Sequence, residues 1–433
     1  MDFERKLEEE LNRRAYLVGL DTGNDRDFEY SMEELSGLAI ACDMEVVGSM
    51  IQHLDHPVPA TYIGSGKVTE LAELEEEENL SFLIFEDTLS PAQLKNLQKR
   101  LKAKIMDRTG LILEIFSKRA RTREAKLQVE YANLQYMLPR LIGMWEAIGR
   151  QGGGSGSMSN KGVGETQLEL DRRWIQKRMS ELHRELDAIE HDRTIQRQKR
   201  EKGQIPLVAL VGYTNAGKST IMNRLIAGSS AADEEKQVLE KDMLFATLDT
   251  SVRRIDHGDK KAFLLSDTVG FIDKLPHALV KAFRSTLDEV KYADLLLEVV
   301  DVSDERYREQ MQVTKDTIRE LGAEQIPCIH VMNKADRCME PGTFPLVQED
   351  RIFLSAAGGI GLEELLHMIR ERIYAGNKTA QFLFPYDRGA LLHDLCENAQ
   401  VTEMEYRADG TLVKADCPMY LYGRYEAYLW NEE

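Results

Sequence analysis

Residues 207–220 read LVALVGYTNAGKST. An apolar run suited to a strand passes without a break into Gly212-Tyr213-Thr214-Asn215-Ala216-Gly217-Lys218-Ser219, a GxxxxGK[ST] frame, and a helix is expected from about Thr220. The glycines let the backbone curl until its N–H groups converge on an anion, and the helix N-terminus adds a favourable dipole. The stretch predicts a phosphate loop. Lys218 would reach the β- and γ-phosphates of a nucleotide, and Ser219 would ligate Mg2+.

The sequence around this turn extends the pattern. KKAFLLSDTVG (260–270), DLLLEVVD (294–301), PCIHVMNKAD (327–336) and RIFLSA (351–356) contain near-continuous apolar strands, which predicts a sheet covered on both faces. Three further motifs sit at strand ends. Asp267-Thr268-Val269-Gly270 offers an acid to hold Mg2+ through water and a Gly270 N–H to sense a γ-phosphate. Asn333-Lys334-Ala335-Asp336 offers a base reader: a carboxylate can accept from both N1–H and the 2-amino group of guanine, a pair adenine lacks, while the Lys334 stem packs on the ring. Ser355-Ala356-Ala357 can supply a backbone N–H to guanine O6. Four motifs in this order predict binding and hydrolysis of GTP, with Mg2+ as cofactor and GDP as product. A switch threonine is expected in LFATLDTSVRR (244–254), with Thr247 and Thr250 as candidates. Phe271 follows DTVG where many small GTPases carry a water-orienting Gln, so slow intrinsic hydrolysis and activation by a partner are expected.

The predicted fold is α/β in four parts: an N-terminal α/β domain (1–110), a helical hairpin with a Gly-rich tip (111–203), a P-loop GTPase domain with a doubly wound, mostly parallel sheet (204–376) and a small α+β domain (377–433). In the first part, AYLVGL (15–20), MEVVGSMIQ (44–52) and FLIFED (82–87) read as strands. Ser31–Ala41, with Ser31 as N-cap, 67–77 and 90–101 read as helices, the last capped by Ser90 ahead of Pro91. In the second, Leu127, Tyr131, Leu134, Leu138, Leu141, Trp145 and Ile148 form one seam and Ile175, Met179, Leu182, Leu186 and Ile189 another, which predicts an antiparallel pair of long helices. Pro139 is expected to kink or divide the first, and the second is expected from about residue 165. The loop RQGGGSGSMSNKGVGE (150–165) would form the tip, carrying Arg150 and Lys161 as candidate contacts to a phosphate-rich partner. The C-terminal part reads as strand, helix and two strands around a turn at Asp409-Gly410.

Charge is unevenly distributed along the chain. The chain carries −18 overall, yet residues 95–203 hold 24 Lys/Arg against 14 Asp/Glu, leaving −28 on the remainder. A basic middle on an acidic chain is a candidate footprint for a phosphate-rich partner, and from charge alone a solvated helical surface of mixed charge is an equal alternative. The five cysteines are scattered without CxxC spacing, which predicts free thiols in a reducing, cytoplasmic setting. The charged N-terminus predicts no signal peptide, and no apolar run is long enough to span a bilayer. A monomer is the working expectation, and peripheral membrane contact stays open.

GYTNAGKST, LFATLD, SDTVGFIDKLPHALVKAFRSTL (266–287) and NKAD together resemble the HflX family of translation-associated GTPases. The resemblance extends to YIGSGKVTEL (62–71), VEYANLQYMLPRL (129–141) and GETQLELDRR (164–173), most of the chain. It implies that Thr247 is the switch threonine and second Mg2+ ligand, with Phe245, Ala246, Leu248 and Asp249 around the nucleotide, and that Lys218, Thr247 and Gly270 serve catalysis. It also implies binding to the large ribosomal subunit including its RNA, stimulation of hydrolysis there, splitting of stalled ribosomes, and approach of the Gly-rich tip to the peptidyl-transferase centre. Two features depart from the family pattern: the tip is longer, with Val163 where Pro is usual, and Thr250 replaces the Pro after FATLD. Gly64-Ser65-Gly66-Lys67 misses the phosphate-loop frame, with Thr61 in place of Gly and Val68 in place of Ser/Thr, and reads as a turn into a helix. ATP use through this half remains the alternative. A nucleotide-gated RNA-binding regulator, or a switch for a protein partner, are the competing functions.

Overall fold

The structure is a computed structural model that describes residues 13–23, 28–151, 161–203, 205–228, 251–256, 261–268, 270–272 and 288–430. Its described residues divide into two compact units, one up to Gln196 and the other from Arg197 onward.

The first unit opens with a four-stranded parallel sheet in the order β2-β1-β3-β4, built from β1 (Arg14–Asp21), β2 (Glu45–His53), β3 (Phe82–Phe85) and β4 (Lys104–Asp107). Four helices connect and follow the strands: α1 (Phe28–Ala41), α2 (Ser65–Glu77), α3 (Pro91–Gln98) and α4 (Arg108–Arg119). Val68 and Leu71 of α2 and Leu97 of α3 pack with Val18, Leu83 and Phe85 on one face of the sheet. On α3 the expected cap forms: Ser90 Oγ accepts from the Gln93 N–H, the Gln93 side chain accepts from the Ser90 N–H, and Pro91 opens the helix. Such a box contributes about 1 kcal/mol.

Helix α1 corrects one expectation. It begins at Phe28, so Ser31 lies a turn inside it rather than at its N-cap, and the Ser31 hydroxyl donates to the Glu86 carboxylate instead. The reason is the buried polar network there. Glu34 pairs with Arg108, both almost fully buried, and Ser31 completes the contact with Arg108 and Glu86. A polar side chain that finds a buried partner does not have to cap the backbone.

Helix α5 (Arg123–Gln151) and helix α6 (Lys161–Gly203) form the expected hairpin. Leu127, Tyr131, Leu134, Leu138 and Leu141 meet Ile175, Met179, Leu182, Leu186 and Ile189 in one apolar cluster. Arg123–Glu185, Glu124–Arg193 and Glu130–Arg178 bridge the two helices; the start of α5 meets residues 185–193 of α6 and Glu130, further along α5, meets the earlier Arg178, so the pair is antiparallel. Two details refine the expectation. Of the two outcomes expected at Pro139, a kink or a division, division is the one the structure excludes: α5 runs through it to Gln151. The α5–α6 seam holds both sides of the missing N–H. The helices also extend into the Gly-rich segment: α6 starts at Lys161 and includes Gly162 and Gly164, so residues 161–165 are helix rather than loop. Residues 152–160 of the expected tip lie outside the described residues.

The second unit holds a seven-stranded sheet in the order β10-β11-β9-β8-β5-β7-β6. Its strands are β5 (Leu207–Val211), β6 (Ser251–Ile255), β7 (Phe263–Asp267), β8 (Leu295–Asp301), β9 (Cys328–Asn333), β10 (Leu346–Gln348) and β11 (Arg351–Phe353). The five inner strands are parallel and the two edges antiparallel. Helices α7 (Lys218–Ala227) and α9 (Leu362–Ile373) cover one face through Ile221, Leu225, Leu365 and Ile369, and α8 (Tyr307–Glu320) packs on β8. A final antiparallel sheet, β12-β14-β13, comprises β12 (Lys378–Phe384), β13 (Gln400–Arg407) and β14 (Gly410–Cys417), with α10 (Gly389–Asn398) between the first two strands and α11 (Met419–Arg424) after the last. Arg407 pairs with Gly410 across the turn, and a side chain at Gly410 would strike the Phe384 carbonyl. Among the described residues no helix is long and apolar enough to cross a membrane.

Candidate active site

Strand β5 lies between β7 and β8, and the chain visits β7 on one side before crossing to β8 on the other. The strand order therefore reverses at β5, and ligands of open parallel sheets sit beyond the strand C-termini at such a point. All four motifs arrive there: Gly212 follows β5, Asp267 ends β7, Asn333 ends β9 and Ser355 follows β11.

The phosphate loop is shaped by two glycines. At Gly212 (φ +136°) a Cβ would lie 2.3 Å from the Val299 carbonyl oxygen, so only glycine lets the turn rest on β8. Gly217 takes φ +99°, and a Cβ there would lie 2.2 Å from Asn333 Nδ2. Between them Tyr213 and Ala216 bury their side chains and Asn215 is left-handed at φ +61°. Helix α7 then starts at Lys218, two residues earlier than expected, with Gly217 as its N-cap.

The Lys218 ammonium is buried and donates to the Gly212 and Tyr213 carbonyls at 3.0 and 2.7 Å. Burial pushes its pKa down to about 8, while the nearby Asp267 carboxylate opposes that shift. Ser219 Oγ donates to Asp267 Oδ2 at 2.8 Å, and Asp267 is fully buried. Thr268 is also buried, its hydroxyl donating to the Leu210 carbonyl at 2.6 Å. The next segment is stitched to the phosphate loop by its main chain. The Thr214 N–H donates to Phe271 O at 2.7 Å and the Phe271 N–H to Gly212 O at 3.1 Å, and Gly270 lies over Thr214 and the Lys218 ammonium. The Phe271 ring is buried, so it occupies core and not the mouth of the site.

The base-reading end is joined to the phosphate end by one side chain. Asn333, almost fully buried, donates from Nδ2 to the Ala216 carbonyl at 2.8 Å and accepts at Oδ1 from the Ala356 N–H at 3.0 Å. Lys334 (φ +61°) pairs with Asp301 at 2.7 Å, and the Ala335 N–H bonds Leu354 O. Asp336 is exposed, its carboxylate open to solvent. The Ser355 N–H is held by Ile360 O, and Ser355 Oγ accepts from Gly358 N–H. A base O6 would therefore share the Ala356 amide with Asn333 or take that of Ala357, whose carbonyl is held by Arg224.

The sequence-derived residues Gly212 to Ser219, Asp267, Thr268, Gly270, Asn333 to Asp336 and Ser355 to Ala357 are thus gathered at one sheet edge. Phe245, Ala246, Thr247, Leu248, Asp249, Thr250 and Val269 lie outside the described residues. Arg150 and Lys161 stand on α5 and α6 with only their backbones described. Sequence reasoning missed Asp301, which positions Lys334. Its signal was its place at the end of DLLLEVVD, in register with Asn333.

Three family models match consecutive stretches of the chain: "GTP-binding GTPase N-terminal" over residues 29–117, "GTP-binding GTPase Middle Region" over 119–200 and "50S ribosome-binding GTPase" over 207–334. The chain is 43% identical over 411 residues to a curated GTPase HflX of Caldanaerobacter subterraneus subsp. tengcongensis, covering 94% of this chain and 92% of that protein. It is 39% identical over 414 residues to GTPase HflX of Lacrimispora saccharolytica, covering 95% of each. A solved GTP-binding protein from Sulfolobus solfataricus in complex with GDP is 25% identical, with a TM-score of 0.44, over 84% of this chain and 98% of that one.

Proposed function

The chain belongs to the HflX family of GTPases, and from that membership we propose that it is a switch on the large ribosomal subunit, binding there with GTP and separating stalled ribosomes into subunits. The GTP-binding half of this reading is carried by Asn333, whose one side chain locks the phosphate loop to the Ser355-Ala356 loop. The ribosomal half is supported by the description of the model that matches residues 207–334 and by the basic balance of residues 95–203.

The proposed residue roles rest on the motifs, and the geometry of the described residues supports them. The Gly212–Ser219 amides and the Lys218 ammonium bind the phosphates, the phosphate oxygens taking over from the Gly212 and Tyr213 carbonyls that the ammonium contacts. Asp336 identifies guanine, Lys334 lies along the base and Asp301 fixes that lysine. The donor set at Ser219 and Asp267, a hydroxyl and a buried carboxylate 2.8 Å apart, is all oxygen and fits Mg2+. Bound there, Mg2+ would offset phosphate charge, with Ser219 and Thr247 as direct ligands and Asp267 acting through water. The Gly270 amide would follow the γ-phosphate, and because Phe271 is bonded to the phosphate loop, its loss would be felt in both segments. Phe271 brings no polar atom to the attacking water, so hydrolysis needs a group from a partner or a rearranged switch. Arg150 and Lys161 would serve as contacts to ribosomal RNA.

Cosedimentation with isolated large subunits tests the reading. Binding with a non-hydrolysable GTP analogue and release with GDP are expected, together with subunit separation on sucrose gradients. Equal binding to any structured RNA would favour the RNA-regulator alternative, and no RNA binding would favour a protein-partner switch.

A further inference from the structure

On the sheet face opposite α7 and α9, three potential ligands converge that the nucleotide site does not use. Glu298 in β8 is the register partner of His330 in β9, and Cys328 lies two residues before His330, so all three side chains leave the same face. One donor atom from each falls within 4.8 Å of the other two. His330 Nδ1 and Glu298 Oε2 are 2.6 Å apart. The hydrogen bond between them accounts for only part of the cluster. Glu298 is 5% exposed, and its second oxygen, Oε1, is buried with no hydrogen-bond partner among the described residues. A buried carboxylate oxygen left without a donor is destabilising unless a cation meets it.

We propose that Glu298, Cys328 and His330 form a three-ligand site for a transition-metal ion of the zinc class, separate from the nucleotide-associated Mg2+. A thiolate, an imidazole and a carboxylate suit a borderline-soft ion and not Mg2+ or Ca2+. The two strands are rigid and hydrogen-bonded, so the ligands are held without ordering a loop. Partial exposure of His330 and Cys328 gives the ion an entry path and leaves a fourth position for water. Binding displaces the Cys328 thiol proton to solvent. The Cys-x-His spacing along one strand, completed by an acid from the next, is a pattern that a search for CxxC pairs passes over. Glu298 precedes Asp301 by three residues and His330 precedes Asn333 by three, so the ion would tie together the strands that carry the base-reading loop.

The test uses the full chain without an affinity tag, saturated with GDP and Mg2+. Zinc is titrated in competition with a chromophoric chelator, and cobalt(II) is added in a parallel sample. One zinc per chain and a cobalt–thiolate charge-transfer band in the near ultraviolet are expected. Cys328→Ser should abolish the band and, like His330→Ala, weaken zinc at least tenfold with GDP binding intact. Cys396→Ser should change neither. A wild-type chain with no stoichiometric zinc and no thiolate band would overturn the proposal without reference to any variant, as would a site that survives Cys328→Ser combined with His330→Ala.

Discussion

Replacing Asn333 with alanine isolates the link between the two ends of the nucleotide site. The change removes the donor to Ala216 O at 2.8 Å and the acceptor of the Ala356 N–H at 3.0 Å, in a place with almost no solvent access. Each orphaned backbone group costs about 1–3 kcal/mol. Water entering the space left by the amide recovers part of that, so a total of about 2–4 kcal/mol is expected. Since about 1.4 kcal/mol is tenfold in affinity, GDP should bind roughly thirty- to several-hundredfold more weakly if the cost falls on the loops that nucleotide must order. Fluorescence titration with a labelled GDP reads the affinity, and thermal unfolding without nucleotide reads the share that falls on the fold. Asp336→Ala is the contrast. Its carboxylate is exposed, so it should lose base recognition while the nucleotide-free protein melts as before, within about 0.5 kcal/mol. If Asn333→Ala bound GDP within threefold of wild type, the side chain would not be coupling the loops and the reasoning would fail.

Four further outcomes follow from the same geometry. Asp336→Asn should weaken GTP and favour xanthine nucleotide, because an amide offers a donor where the carboxylate accepted; competition between GTP and xanthosine triphosphate checks it. Lys218 has a depressed pKa of about 8 in the free protein, and a bound triphosphate would hold it protonated. Binding then takes up a proton above pH 8, so affinity is full below that value and falls as pH rises through it; calorimetry in buffers of different ionisation enthalpy would show no uptake if this is wrong. Phe271→Gln should not speed intrinsic hydrolysis, since the side chain points into core, and should destabilise the unit by about 2 kcal/mol or more, read by single-turnover assay and thermal melt. Glu34→Leu leaves Arg108 charged and buried, which should cost about 3–5 kcal/mol in the first unit and lower its melting transition while leaving GDP affinity unchanged.

The nucleotide site was legible because its chemistry is local. Phosphate binding needs glycines, a lysine and a hydroxyl at fixed offsets, and Gly212, Gly217, Lys218 and Ser219 carry that requirement in the sequence itself. The hairpin was legible for a related reason: its seams repeat over many turns, and the same leucines meet in the structure. What escaped was decided by partners distant in sequence. Ser31 had capping-box spacing, yet Glu86 and Arg108, 55 and 77 residues away, set its hydrogen bonds. Strand β4 is four residues long, and α4 buries Leu111, Ile112, Leu113, Ile115 and Phe116 almost all round, so neither shows a clear period; α4 also runs across the boundary expected at residue 110. Asp301 gained its role only through register with Asn333. The glycines at 162 and 164 argued for a loop, and helix formation from Lys161 overrode their weak propensity, which is worth only about 1 kcal/mol each.

GTP turnover by the intact chain, measured with Mg2+ in the presence and absence of purified large ribosomal subunits, tests the nucleotide site and its proposed partner most directly. Slow hydrolysis by the protein alone, abolished by Lys218→Ala and accelerated severalfold or more by the subunits, is the predicted result. Absence of any Lys218-dependent hydrolysis would contradict the assignment of the site, and a rate indifferent to the subunits would contradict its proposed partner.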